Sequence, residues 1–292
     1  PVDTDSTASF DVADALADLG ATEFDAWTTT GGQLVGARLT SILDRTEVTF
    51  GPNRALDAGT STLQADAVSW GSNVLNYAQL VVKADLGQLF ASKDGILTFY
   101  GRNRSHTGVG APEFRDDSTA GSIPYSGVGV DFGTELLFNR VSVDATGFTK
   151  QTVTDATSIA LYGVRSLSIS NLPLADVTQA LDLANYLLAL YKAPSSRFQS
   201  ITVDLHALEG TQQTAVLDLD IGSTIRVVYT PNRVSTAIDK FCLVEGVDDL
   251  IGSTFHSVRL KLSNLADGFS GSPFILDDAT AGVLDGIYVL AF

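Results

Sequence analysis

The stretch from Ser72 to Tyr100 permits few conformations. Val74, Tyr77, Ala78, Val81 and Val82 recur at three- and four-residue steps, which sets them on one face of a helix from about Asn73 to Leu86. Ser72 is placed to cap that helix. Gly87 follows, and a glycine there reads as a left-handed helix stop. Gln88 to Ser92 and Ile96 to Tyr100 then form two strand-like runs. Lys93-Asp94-Gly95 joins them, and Asp-Gly is a favoured hairpin pair. A helix, a stop and a hairpin commit this part of the chain to a mixed α+β arrangement.

The flanking sequence adds strands more than helices. Ser9 to Val12 reads as a strand and Ala13 to Leu19 as a helix stopped at Gly20. In Gln33 to Leu43, the residues Leu34, Ala37, Leu39, Ile42 and Leu43 suit one helical face. Thr60 to Val68 alternates, with Leu63, Ala65 and Ala67 on one side. Gly101 to Gly121 reads as an exposed loop rich in Arg, Gly, Ser and Asp. Leu136 to Val143, Ser158 to Tyr162 and Ser166 to Ser170 read as strands. Gly163 lies between the last two, and Pro173 ends the series.

A second helix is expected over about Ala175 to Tyr191. Val177, Leu181, Ala184, Leu188 and Tyr191 form its face, and Pro194 closes it. Asp176 near its start and Lys192 near its end suit the helix dipole. Strands return at Phe198 to Leu205, Ala215 to Leu219, Thr224 to Tyr229, Lys240 to Val247 and Phe255 to Leu262. The fold class expected is α+β and β-rich, with barrel-like domains and a helix-plus-hairpin insert. The expected segments are residues 1–104 (helix and hairpin), 105–170 (β-rich), 171–265 (helix, then barrel strands) and 266–292 (a C-terminal arm).

Composition narrows function. The chain has 292 residues and a net charge of −16, which gives no electrostatic reason to hold nucleic acid or an anionic membrane. No apolar run is long enough for a membrane-spanning helix. The single cysteine, Cys242, sits in an apolar run and reads as a small buried hydrophobe.

Ser72–Arg102, "SNVLNYAQLVVKADLGQLFASKDGILTFYGR", resembles the helix-plus-hairpin insert of phage tail hub proteins. Tyr162–Phe198, "YGVRSLSISNLPLADVTQALDLANYLLALYKAPSSRF", resembles that family's passage from a Tyr-Gly strand through a helix to a Pro-closed end. The strand "SITVDL" follows, as in the family. Ser272–Asp285, "SPFILDDATAGVLD", is similar to the C-terminus of minor tail proteins of long-tailed phages, especially those of actinobacteria. No single motif is specific; their order and spacing carry the resemblance.

The resemblance implies a structural protein at the distal end of a virion tail. It implies a ring, often trimeric, that joins the tail tube to the host-recognition parts and lets DNA pass. The implied partners are copies of itself, the distal tail tube protein, other minor tail proteins and the tape-measure protein. Family members begin with half a β-barrel upstream of the Ser9–Leu19 element, so the resemblance implies a preceding segment that is either missing from this chain or lost by processing.

The chemical motifs point away from catalysis. Gly268-Phe269-Ser270-Gly271-Ser272-Pro273 looks like a serine-protease turn, but Phe269 stands where an Asp is wanted. His106, His206 and His256 lie in no context that suits a catalytic base. The segment reads as a hinge, with Gly271 and Pro273 as its turn residues. The histidines have no metal spacing, and the acid pairs Asp116-Asp117, Asp248-Asp249 and Asp277-Asp278 lack a calcium-loop pattern. Gly127 to Gly133 nearly spells a dinucleotide fingerprint but has no βαβ unit around it, and reads as a strand edge.

No enzyme activity, cofactor or metal is expected. The interface candidates are Arg102 and Arg104, with Arg115 nearby, and the apolar end containing Ile287, Tyr288, Leu290 and Phe292. The alternatives are a carbohydrate-binding β-module for host adsorption, which Trp27 and Trp70 alone serve poorly, or a cell-wall hydrolase.

Overall fold

A computed structural model describes residues 12–48, 53–104, 110–117, 119–232 and 236–265. Two compact units divide the chain. The first takes Pro1–Arg102, Ala145–Thr149 and Ser170–Gln179, and the second takes the rest.

The first unit contains α1 (Ala15–Ala21), β1 (Trp27–Thr28), β2 (Gln33–Leu34), α2 (Val35–Leu43), β3 (Arg54–Leu56), β4 (Thr62–Leu63), β5 (Ala67–Val68), α3 (Val74–Lys83), β6 (Gln88–Ala91) and β7 (Leu97–Tyr100). α1 and α2 both pack on α3. The buried face of α3 is Val74, Tyr77, Ala78, Val81 and Val82, as its periodicity dictates. Burying each large apolar side chain contributes about 1.5–3 kcal/mol. Asn73, not Ser72, caps this helix: its side chain accepts from Asn76 N at 3.0 Å.

Gly87 ends α3 in a different way from the one its sequence suggests. Leu86 takes the left-handed conformation, with φ 52°, and Gly87 does not. Gly87 N donates to Val82 O and Leu86 N to Lys83 O, at 3.2 Å each, which is the Schellman pattern. Glycine is needed at 87 for space, because a Cβ there would lie 2.5 Å from both the Phe99 ring and Tyr100 O. The hairpin follows as a three-residue loop. Gly95 has φ 74° and donates to Ser92 O, while Ser92 N donates to Ile96 O.

Two buried charges organise this unit. Asp85, fully buried, accepts from Thr60 N at 2.9 Å, Ser61 N at 2.7 Å and Arg102 N at 3.4 Å. Arg38, also fully buried, donates to Gln33 Oε1, Tyr77 Oη, Thr30 O and Gln64 O at 2.7–3.0 Å. Arg38 also overturns the face expected for α2. The helix buries Val35, Gly36, Arg38, Leu39, Ile42 and Leu43, while Leu34 and Ala37 are exposed. Thr60–Val68 likewise splits into β4 and β5, with Ala65 and Ala67 exposed and Leu63 and Val68 buried. The later stretch completes the unit: Leu63 bridges Leu174, Gln64 N donates to Pro173 O, and Ala175 N donates to Thr62 O.

The second unit contains β8 (Glu113–Arg115), β9 (Ile123–Pro124), β10 (Gly127–Gly133), β11 (Arg140–Ala145), β12 (Gln151–Thr154), α4 (Ala156–Tyr162), β13 (Ser166–Leu172), α5 (Val177–Tyr191), β14 (Ser195–Asp204), a 3-10 turn (Leu205–Ala207), α6 (Gly210–Leu217), β15 (Thr224–Tyr229), β16 (Ile238–Ile251) and β17 (His256–Asn264). The ends of β11 and β13 and the start of α5 belong to the first unit. Seven strands form one curled half-barrel sheet in the order β10-β14-β17-β16-β15-β8-β9. Its core joins Phe198, Ile201, Val203, Ile225, Val227, Cys242, Val244, Val258 and Leu260 to Leu208 and Val216. Burial pushes the Cys242 thiol up to about 12, so it stays neutral and packs as a hydrophobe.

Four expectations are corrected here. Ser158–Tyr162 and Ala215–Leu219 are not strands. The first lies in α4, where Asp155 accepts from Ser158 N at 2.9 Å and Gly163, φ 72°, ends the helix. Most of the second lies in α6, which opens on a capping box between Glu209 and Gln212. The stretch 101–121 is not wholly loop, because β8 runs parallel to β15 and buries Phe114. In α5 the buried residues are Ala180, Leu183, Ala184 and Leu187, so the face is rotated from the expected one; Val177 and Leu181 are exposed.

The α4 cap gives a testable pH dependence. The backbone hydrogen bond from Ser158, and then Lys192 at 3.2 Å, lower the Asp155 carboxyl from its ordinary value. A depressed folded-state value stabilises the protein above the unfolded value, about 4. That stability is lost as pH falls through the folded value. Asn still caps a helix, so Asp155→Asn removes the charge alone. The variant is expected to melt below the native protein at pH 7, with the gap narrowing as pH falls below the unfolded value and through the folded one. A gap that stays constant with pH would reject the assignment.

Candidate functional site

The expected turn residues have these places. Asp94 and Gly95 form the β6–β7 turn, Gly87 packs on Phe99, and Gly163 ends α4. Pro173 is buried, with its carbonyl bonded to Gln64, and Pro194 stands between α5 and β14. Gly271, Pro273, Ser270, His106, Ile287, Tyr288, Leu290 and Phe292 lie outside the described residues.

Arg102 is half-buried, and its Nη1 donates to Ser61 Oγ at 3.3 Å. Arg104 is exposed. Arg115 is committed within its own sheet: it pairs with Glu113 at 2.7 Å and Asp117 at 2.8 Å. Glu113 also pairs with Arg226 at 2.9 Å, and Arg226 with Asp239. This row links β8, β15 and β16. The Arg115 hydrogen bond holds the Asp117 carboxyl well below the usual range. Ion pairs that stay in reach of water stabilise little, so the row aligns strands more than it stabilises them.

Two surface features of the half-barrel sheet suit association. The first is the pair of strands that end it among the described residues, β9 and β10. β9 is two residues long and ends in Pro124, a blunted edge. β10 is seven residues long without proline or lysine, and among the described residues it pairs with β14 alone. The Gly127–Gly133 run, read from sequence as a strand edge, is this edge. Val128 and Val130 pack against the core, and a register shift falls between Gly129 and Val130.

The second feature was not legible in the sequence. β16 and β17 continue past the core as a hairpin, where Ile251 pairs with His256. The ion pair Asp248–Lys261 at 3.0 Å and a hydrogen bond between Asp249 and His256 at 2.8 Å cross it. At its end Leu250, Ile251 and Phe255 are 64%, 68% and 44% exposed. Gly252 leaves room for the Phe255 ring, since a Cβ there would lie 2.3 Å from it and push this exposed side chain aside. The only signal in the chain was an apolar Leu-Ile pair directly before Gly-Ser.

Replacing Leu250 and Ile251 with Ser is expected to change stability by less than about 0.5 kcal/mol. Self-association, read by light scattering over a concentration series, is expected to weaken if the tip is an interface. An unchanged series would remove the tip from consideration.

Among the described residues no three His, Cys, Asp or Glu side chains converge on a common point. Trp27 packs with Phe24 at 5.8 Å and lies under Arg45 at 5.0 Å, while Trp70 is exposed.

No family model matches the chain, and no curated protein matches it by sequence. Solved structures do. The tail protein from Neisseria meningitidis MC58 is 15% identical, with TM-score 0.60 over 87% of this chain and 72% of that one. The 43 kDa tail protein of prophage MuSo2 from Shewanella oneidensis is 17% identical, with TM-score 0.57 over 84% and 70%. The chain therefore shares the fold of these two tail proteins at low sequence identity.

Proposed function

We propose that the chain is a structural component of a phage tail tip, a baseplate hub or minor tail protein, working by packing and not by catalysis. The observation that carries this reading is the shared fold with two tail proteins over most of the chain. The motif order read from the sequence supports it independently.

In this reading copies of the chain form a ring at the distal end of the virion tail. The ring contacts the distal tail tube protein, other minor tail proteins and the tape-measure protein. Residues 1–104 supply the helix-and-hairpin part, 105–170 a β-rich barrel segment, 171–265 a helix and further barrel strands, and 266–292 an arm. The net charge of −16 suits a lumen that DNA passes without binding, because like charges repel phosphate.

Negative-stain imaging of the purified chain, or of tails that contain it, tests the reading. A three-fold ring around a lumen is the expected result. Compact particles without a lumen, or a lumen lined by basic residues, would reject the ring or its charge logic respectively. Release of sugars or peptides from cell wall by the chain would instead restore the hydrolase reading.

A further inference from the structure

We infer that the apolar tip of the β16–β17 hairpin of one copy docks on a patch at the end of α4 of a second copy, formed by Leu136, Leu161, Tyr162 and Val164 with Arg165 and Arg197. The inference rests on the ring reading above and names the contact that builds it.

The patch joins exposed apolar groups to arginines that lack an acid. Leu161 and Tyr162 end α4 and Val164 follows Gly163; Leu161 is 69% and Val164 51% exposed, and Tyr162 and Leu136 are exposed as well. Arg165 comes next in the chain, and its Nη1 donates to Thr134 O at 3.3 Å. Arg197 Nη1 donates to Leu136 O at 3.3 Å, with its guanidinium 5.2 Å from the Tyr191 ring centre. Both arginines therefore border the 134–136 segment that carries Leu136. Among the described residues neither meets a carboxylate, although the chain has 34 acidic residues against 18 lysines and arginines. Arg45, Arg54, Arg115 and Arg226 are all paired with acids.

Such a patch selects a surface that carries apolar and acidic side chains together. The hairpin tip is one. Leu250, Ile251 and Phe255 are exposed there, and Asp248 and Asp249 directly precede Leu250. Lys261 and His256 each contact one of these carboxylates, and a carboxylate with one such partner keeps acceptor capacity for an arginine.

Distance makes the contact one between copies. Arg197 lies near the start of β14 and Asp204 at its end, and Asp204 pairs with Ser257 beside the tip. The rise from residue 197 to residue 204 is about 20 Å. β14, β17 and β16 are hydrogen-bonded neighbours in one sheet, so the tip cannot fold back onto its own patch. Each copy thus presents a tip at one end of the sheet and a patch at the other. A head-to-tail contact of this kind closes into a ring when the rotation permits.

The test uses the full chain in two preparations, one carrying Ser253→Cys at the tip and one carrying Val164→Cys in the patch. Both positions are exposed, while Cys242 is fully buried and stays out of the reaction. Mixing the two under mild oxidation is expected to give a disulfide-linked dimer of unlike copies, in large excess over the linked dimers that either preparation gives alone. Separately, Arg165→Glu with Arg197→Glu is expected to weaken self-association about tenfold or more, and Asp249→Arg added to the same chain is expected to recover part of that loss. Cross-links from tip to tip alone, or none while the native chain still assembles, would overturn the inference and leave the ring reading standing. So would charge reversal that leaves assembly unchanged. A native chain that is monomeric at every concentration would overturn the ring reading itself, and this contact with it.

Discussion

Arg38→Met is expected to destabilise the first unit by about 3–4 kcal/mol, more than any other single side-chain removal in it. The four acceptors around the guanidinium are a side-chain amide oxygen, a phenol and two main-chain carbonyls, and no carboxylate is among them. Removing a buried charge recovers several kcal/mol of desolvation. It also strands up to four polar atoms, each costing about 1–3 kcal/mol. The second sum is the larger. Tyr77 would feel it directly, since its hydroxyl loses the Arg38 contact inside the aromatic cluster with Phe24 and Trp27. Arg38→Lys keeps the charge but cannot match the planar fork, so an intermediate loss is expected. Urea melts of the three proteins check the order. A Met variant whose midpoint equals that of the native chain would overturn the account.

Gly36→Ala is expected to cost about 3 kcal/mol, although alanine is the better helix former. Propensity alone would favour the substitution by about 1 kcal/mol. Space decides the sign. A Cβ at 36 would lie 1.9 Å from Asp57 O and 3.1 Å from Ala58 O, and these are backbone atoms that no rotamer can move aside. Gly36 N also donates to Ala58 O at 2.9 Å, so the helix cannot retreat without breaking that bond. A fall in Tm on the order of 10 °C is expected by calorimetry. An unchanged or raised Tm would show that α2 slides freely against the 57–58 segment.

These two sites mark the limit of what the sequence discloses. α3 was legible because Val74, Tyr77, Ala78, Val81 and Val82 form one stripe and Asn76, Gln79 and Lys83 fall outside it. α5 was not, because Ala180, Leu181, Leu183, Ala184, Leu187 and Leu188 spread apolar surface around much of the helix. Packing alone then chooses the buried side. α4 and α6 carried short apolar runs that suit either state, and only the capping residues Asp155, Glu209 and Gln212 marked them as helices. The sheet edge at Gly127–Gly133 was legible from its glycines. The hairpin tip was not, since its exposure depends on how far β16 and β17 outrun the core.

The first unit draws on Ala145–Thr149 and Ser170–Gln179 as well as on the N-terminal stretch. Its assembly therefore has an order in time. When Arg102 leaves the ribosome, Thr62 and Gln64 still lack the partners that Pro173, Ala175 and Gln179 provide. At about 5–20 residues per second those partners emerge roughly 4–15 s later. During that interval the nascent unit has the apolar surface that Leu172 and Leu174 will cover exposed to solvent. A gene fragment stopped at residue 102 would stay in that condition permanently. Expression of such a piece is expected to yield aggregate, and adding the later segments on the same chain is expected to restore a soluble fold.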